Sequence, residues 1–356
     1  MSEQAAYAYR AAPDHLLGEN SHRLVNQKVV YWYSQTTTSE DDPIAILLGE
    51  SQIQQEVSAL EQIRRLLESV WRGERATLLD ARYYVLTLSG SGGRVMVRDW
   101  VEGDFRELVQ NVNAWFDDLS IVHRDGKRLA DPPKFLAVAR ALARKTKKKD
   151  ERKDVPAPML TKLLHSALKK EPIPRDVMAQ TLARVKADIV QDERRDKQRA
   201  KQDEPFNHAR MGLLKAYLIR QGGKDMQAHL NPNHPSPAYH CGKLMAVLAD
   251  LQRAALPDVE AGIVQRFYAA ASATPALVLG RIVRTAQFHI DKVRADSAGL
   301  AAWYESRIAE IMSAIGDTMP RTLILEEQSL FALGYYQQLA HHRAGKSHDK
   351  EEQTNE

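Results

Sequence analysis

The chain has 356 residues, 44% of them hydrophobic and 27% charged, and a net charge of only +4. That is apolar material enough for two or three packed units, and it excludes a global polycation, so any nucleic-acid affinity must come from local clusters. A single cysteine, Cys241, rules out an intrachain disulfide; with no secretory leader and no apolar run near the ~20 residues of a membrane span, a soluble cytoplasmic protein is expected.

The clearest strand signals lie between residues 22 and 100. Leu24 to Trp32 is rich in β-branched and aromatic residues, and Arg82 to Leu88 and Arg94 to Trp100 flank the string SGSGG, whose glycines suit a hairpin connection. In the second hairpin strand Arg94, Met96 and Arg98 alternate with Val95, Val97 and Asp99. Between the first strand and the hairpin, Ile53 to Trp71 reads as an amphipathic helix through Val57, Leu60, Ile63, Leu67 and Val70. A further helix follows from Phe105 to Phe116, which makes residues 1–130 a small α/β unit.

From about Pro133 the pattern is helical almost throughout. Lys145 to Val155 and Gln191 to Glu204 are charged segments with almost no core-forming residues, so 131–204 reads as a charged helical connector. Capped amphipathic helices then make 205–340 a helical bundle, and the polar residues 341–356 read as a disordered tail. The fold class expected is α+β.

The stretch HLNPNHPSPAYHC (residues 229–241) gathers His229, His234, His240 and Cys241, the right residue types for zinc. Their spacing does not suit it. Ser236 as N-cap and Pro237 at the first position begin a helix, which sets His240 and Cys241 about 100° apart around its axis. Cys241 falls on the apolar stripe with Leu244, Met245, Leu248 and Leu251, where a free thiol behaves as a small hydrophobe. A structural role is expected, with neither metal nor cofactor.

No catalytic signature stands out. There is no Walker loop and no Gly-x-Ser-x-Gly elbow, and the glycines at 90–93 join two strands rather than a strand and a helix. His123-Arg124-Asp125-Gly126 echoes a kinase catalytic loop without the residues that should follow, and reads as a turn.

Thr274-Pro275 repeats the helix-start device and launches PALVLGRIVRTAQFHIDKVR. At about 100° per residue, Arg281, Arg284, Phe288 and Lys292 share one narrow sector, while Leu279, Ile282, Ala286, Ile290 and Val293 fall opposite. Three cations around an aromatic ring suit phosphates and an unpaired base; the alternative is a merely solvated helix face. Lys243 and Arg253 on the preceding helix and Arg266 on the one between are expected to extend this surface. The hairpin arginines Arg82, Arg94 and Arg98 are a second choice.

Three strings, NPNHPSPAYHCGKLMAVLADLQ, RFYAAASATPALVLGRIVRTAQFHIDKV and ILEEQSLFALGYYQQ, resemble the C-terminal region of the large signature subunit of the type I-C CRISPR effector complex, Cascade. SEQAAYAYRAAPDHLL, VVYWYS and RYYVLTLSGSGGRVMVRDW resemble the middle of the same family. The resemblance implies a non-catalytic subunit that binds target double-stranded DNA and the displaced single strand, stabilising the R-loop. It implies as partners the crRNA-containing Cascade subunits and a recruited helicase-nuclease that cuts the DNA. It also implies a small subunit initiated internally in the same frame, with Met211 and Met226 as candidate starts. Family members carry a further N-terminal portion, where reading of the target-adjacent motif is expected; that task is therefore not assigned to these residues. Two rival readings are a protein-binding scaffold without DNA contact and a metal-dependent nuclease built on the His/Cys cluster.

Overall fold

The computed structural model describes residues 29–34, 44–47, 82–91, 94–130, 133, 135–142, 157–191, 206–223, 226–259 and 262–352; side chains up to Glu102 lie outside the described set. The described residues are mostly helical, as read for the second half of the chain. They fall into two compact units, Met1–Asp117 with Lys134–Glu171, and Asp118–Pro133 with Pro172–Glu356.

The first unit contains an antiparallel sheet of four strands, β1 (Val29–Ser34), β2 (Ile44–Leu47), β3 (Arg82–Ser91) and β4 (Arg94–Asp104), in the order β2-β1-β3-β4. The strand β2 was not anticipated. The expected hairpin is present, with β3 and β4 paired from Arg82↔Asp104 to Ser91↔Arg94 and joined by residues 92 and 93. The regular alternation expected through Arg98 is interrupted there. The register shifts between Thr87↔Asp99 and Leu88↔Val97, leaving Arg98 without a cross-strand partner, as in a β-bulge. The helix expected over Ile53–Trp71 lies outside the described residues.

Helix α1 (Phe105–Leu119) begins directly after β4 because Asp104 caps it, its Oδ1 accepting from Arg106 N–H at 2.8 Å. Leu108, Val112 and Trp115 of α1 are buried, as are Val138 and Leu142 of α2 (Phe135–Leu142) and Leu163, Leu164 and Leu168 of α3 (Ala157–Lys169). Buried Asn111 donates to the Leu168 carbonyl at 2.9 Å, tying α1 to α3.

The second unit contains α4 (Arg175–Gln191), α5 (His208–Arg220), α6 (Pro237–Ala255), α7 (Ile263–Ala271), α8 (Pro275–Asp296), α9 (Ala298–Ile315) and α10 (Leu325–Glu352). Helix α6 is its axis, with α7, α8, α9 and α10 packed around it. The closest crossing, α6 on α10, needs two glycines. A Cβ on Gly242 would strike the Phe331 carbonyl, and one on Gly334 the Tyr239 carbonyl. Buried Asp188 on α4 accepts from Arg184 at 3.1 Å and forms an ion pair with Arg210 of α5 at 2.7 Å, so the charge is paired where water cannot reach it.

Two local expectations meet different outcomes. The segment His123 to Gly126 is a turn, closed by Gly126 N–H to the His123 carbonyl at 2.9 Å and flanked by the Val122↔Leu129 bridge. Gly126 sits there at φ 77°, with its missing side chain facing the Ala340 carbonyl. Past Ala340, where a tail was expected, α10 continues to Glu352. Buried His342 explains the continuation over its first turn, packing edge-on to Trp303 at 5.1 Å and facing Asp250 at 3.7 Å. Among the described residues, no helix is long and apolar enough to cross a membrane.

Candidate nucleic-acid interface

Helix α8 starts where expected, with Pro275 at its first position. Thr274, however, makes no capping bond with its side chain: its Oγ1 turns back to donate to the Ala270 carbonyl at 3.1 Å. The inward stripe is Leu279, Ile282, Ala286, Ile290 and Val293, each of them buried. Arg281, Arg284, Phe288 and Lys292 are exposed on the other side, with Phe288 64% accessible. Leu277, 77% accessible, extends this sector by one turn toward the N-terminus.

The electrostatics of the face follow from who is already paired. Asp291, the acid nearest the sector, accepts from Gln287 at 3.0 Å and from Arg294 at 2.6 Å, and Arg294 also reaches Glu305 at 2.6 Å. Arg284 spans back to the Gly280 carbonyl at 3.3 Å. Among the described residues no carboxylate pairs with Arg281, Arg284 or Lys292. Half-buried His289, edge-on to Phe288 at 5.7 Å, has its pKa lowered by burial and then by Lys292, so it adds no charge at neutral pH. The face offers three cations with no carboxylate partner among the described residues, around one exposed ring.

The flanking residues divide. Arg253 and Arg266 are exposed, on α6 and α7. Lys243 is not on the surface: it is 3% accessible, and burial lowers its pKa, with Glu310 opposing and Arg307 reinforcing the shift. The expectation that it extends the basic surface is corrected, because α6 is covered on nearly every side. The side chains of Arg82, Arg94 and Arg98 lie outside the described residues.

The His/Cys stretch before α6 forms a clasp. The His240 Nε2 lies 2.7 Å from the His234 carbonyl, and since a carbonyl only accepts, that nitrogen carries the proton. The His234 ring stacks on Tyr239 at 4.4 Å, and its Nδ1 accepts from Ser236 N–H at 3.1 Å. Ser236 is N-cap by position but makes no side-chain capping bond. The Tyr239 hydroxyl accepts from Asn231 N–H and donates to Gln337 on α10. Buried Cys241 has its pKa pushed up to about 12 by burial, so the thiolate a metal requires is disfavoured. Among the described residues no group of three His, Cys, Asp or Glu side chains is placed to hold a metal ion.

A cleft of about 330 Å³ in the second unit was not read from the sequence. Arg124, Arg253 and Arg343 line it together, residues whose chain separation leaves no local pattern to find.

A comparison with curated proteins gave no match. Residues 1–343 match the family of the CRISPR-associated protein Cas_Csd1, nearly the whole chain; the protein belongs to this family, that of the type I-C large subunit.

Proposed function

We propose that this α+β chain is a non-catalytic DNA-binding subunit of a crRNA-guided type I-C surveillance complex, and that the outer face of α8 holds the displaced strand of the R-loop. The observation that carries the reading is the exposed sector of Arg281, Arg284, Phe288 and Lys292, whose cations lack carboxylate partners among the described residues. Phosphates would take the cations and an unstacked base the ring. In this reading crRNA pairing supplies sequence recognition, the crRNA-containing subunits and target duplex are the partners, and a recruited helicase-nuclease does the cutting. Of the two internal starts, Met226 precedes α6 and keeps α6 to α10 whole. Met211 lies inside α5, beyond its cap Asn207 and its ion-pairing residue Arg210.

The test is binding of a labelled single-stranded oligonucleotide across a salt series. Replacing Arg281, Arg284 and Lys292 with alanine should lower the slope of log affinity against log salt by about 0.7 per lost contact. Phe288→Ala should cost about 1–3 kcal/mol of binding. An unchanged slope in a folded variant would take α8 off the DNA path and leave the scaffold reading.

A further inference from the structure

We propose that the cleft between the end of α6, the start of α7 and the middle turns of α10 is a second site, one that binds a phosphate-bearing nucleotide unit. Three arginines, Arg124, Arg253 and Arg343, are among its lining residues, and no carboxylate is present among the described lining residues. Gln252 and Gln265 add two amides. Gln252 Oε1 already accepts from Ile263 N–H at 2.8 Å, so what it has left to offer is its NH2 donor. Guanidinium groups only donate, and their planar fork matches a phosphate's oxygens. The ligand chemistry selected is therefore anionic and rich in acceptors.

The rim is held by packing. Tyr336 on α10 donates to the Val122 carbonyl at 2.9 Å, and Arg343 reaches the Arg124 carbonyl at 3.5 Å. Gly126 lets the same turn press against Ala340. These contacts fix Arg124 and Arg343 on one side, while the Gln252 bond to the first turn of α7 fixes the side bearing Arg253. Beside the cations, Val259 and Leu339 give the cleft an apolar wall. The volume of about 330 Å³ lies at the lower end of small-ligand sites, room for one sugar and base beyond the phosphate. Calling the ligand a nucleotide rests on the nucleic-acid reading above; the preference for an anion does not.

Two sources share this chemistry, a free mononucleotide and a nucleotide within a strand. The experiment uses the full chain with two probes, thymidine monophosphate followed by thermal shift and a labelled oligo-dT followed by anisotropy. The cleft variant is Arg253→Gln with Arg343→Gln, compared with the α8 triple alanine variant. Should the double variant fail to fold by circular dichroism, Arg253→Gln alone serves, since Arg253 is exposed. A stabilisation by the mononucleotide that the cleft variant loses supports a free-nucleotide site. No mononucleotide effect, but roughly tenfold or greater loss of oligo-dT affinity in the cleft variant, supports a strand site. The proposal is overturned if the mononucleotide has no effect and the cleft variant binds oligo-dT like wild type. Loss only in the α8 variant then leaves the α8 reading standing alone, whereas loss only in the cleft variant removes the α8 reading and keeps the cleft.

Discussion

Helices α6 and α8 begin with the same device, a serine or threonine followed by proline, and end in opposite environments. Fifteen of the nineteen residues of α6 are buried, including His240, Lys243 and Asp250. Only six of the twenty-two residues of α8 are buried, five of them its expected apolar stripe. The start signal therefore says where a helix begins and nothing about how many neighbours it acquires. In α6 polar groups are drawn into the core and must be accommodated there: Asp250 by the Tyr304 hydroxyl at 2.9 Å, His240 by a carbonyl. In α8 Arg281, Arg284 and Lys292 stay exposed.

Matched substitutions in the two helices sharpen this contrast, the largest effect coming from leucine. Leu248→Ala in α6 removes a 2% accessible side chain and should cost about 2–5 kcal/mol of unfolding free energy in urea titration. Leu277→Ala in α8, at 77% accessible, should stay within about 0.5 kcal/mol of wild type. Similar losses at both positions would show that the outer face of α8 is covered.

Glycine gives the next pair. Gly242→Ala forces a methyl group into the α10 backbone and should destabilise by about 1–3 kcal/mol. Gly280→Ala meets nothing within 4 Å and sits inside a regular helix, so it should stabilise by up to about 1 kcal/mol. Thermal midpoints moving in opposite directions are the expected result, and movement in the same direction would break the comparison.

Acid provides a smaller effect. Burial lowers the pKa of His240, with the His234 contact opposing and Lys243 reinforcing, below the ordinary 6.5. As pH falls through about 6.5 the unfolded chain binds its proton first, so this stability is fully present above that pH and lost below it. The urea midpoint should therefore drop between pH 7.5 and 5.5, and His240→Gln should flatten the dependence. The smallest effect is expected from lysine: Lys243→Met should leave oligonucleotide affinity unchanged and hold or raise stability, because a desolvated ammonium gives way to an apolar chain of similar length. Weakened DNA binding in this variant would return Lys243 to the surface it was first assigned.

The α8 face was legible because it depends on one helix alone. A period of 3.6 residues, applied to Pro275 through Arg294, separates Leu279, Ile282, Ala286, Ile290 and Val293 from the cations without knowledge of any neighbour. The same projection misplaced Lys243, since periodicity encodes one buried direction and α6 is enclosed from several. The bulge at Arg98 and the strand β2 escaped for a related reason: register belongs to a pair of strands. The cap positions at Ser236 and Thr274 were readable, but not the bonds, because the Thr274 hydroxyl finds a carbonyl one turn behind and the Ser236 backbone is held by His234.

By itself, then, the sequence determined the helix starts, the two faces of α8, the buried fate of Cys241 and the family, all properties of contiguous residues. Tertiary structure decided which polar side chains of α6 are sealed in, and that Arg124, Arg253 and Arg343 share one cleft. Residues 219 positions apart, as Arg124 and Arg343 are, meet only when α10 packs against the turn at Gly126. Local patterns record where each segment seeks burial; packing alone determines which distant segments arrive together.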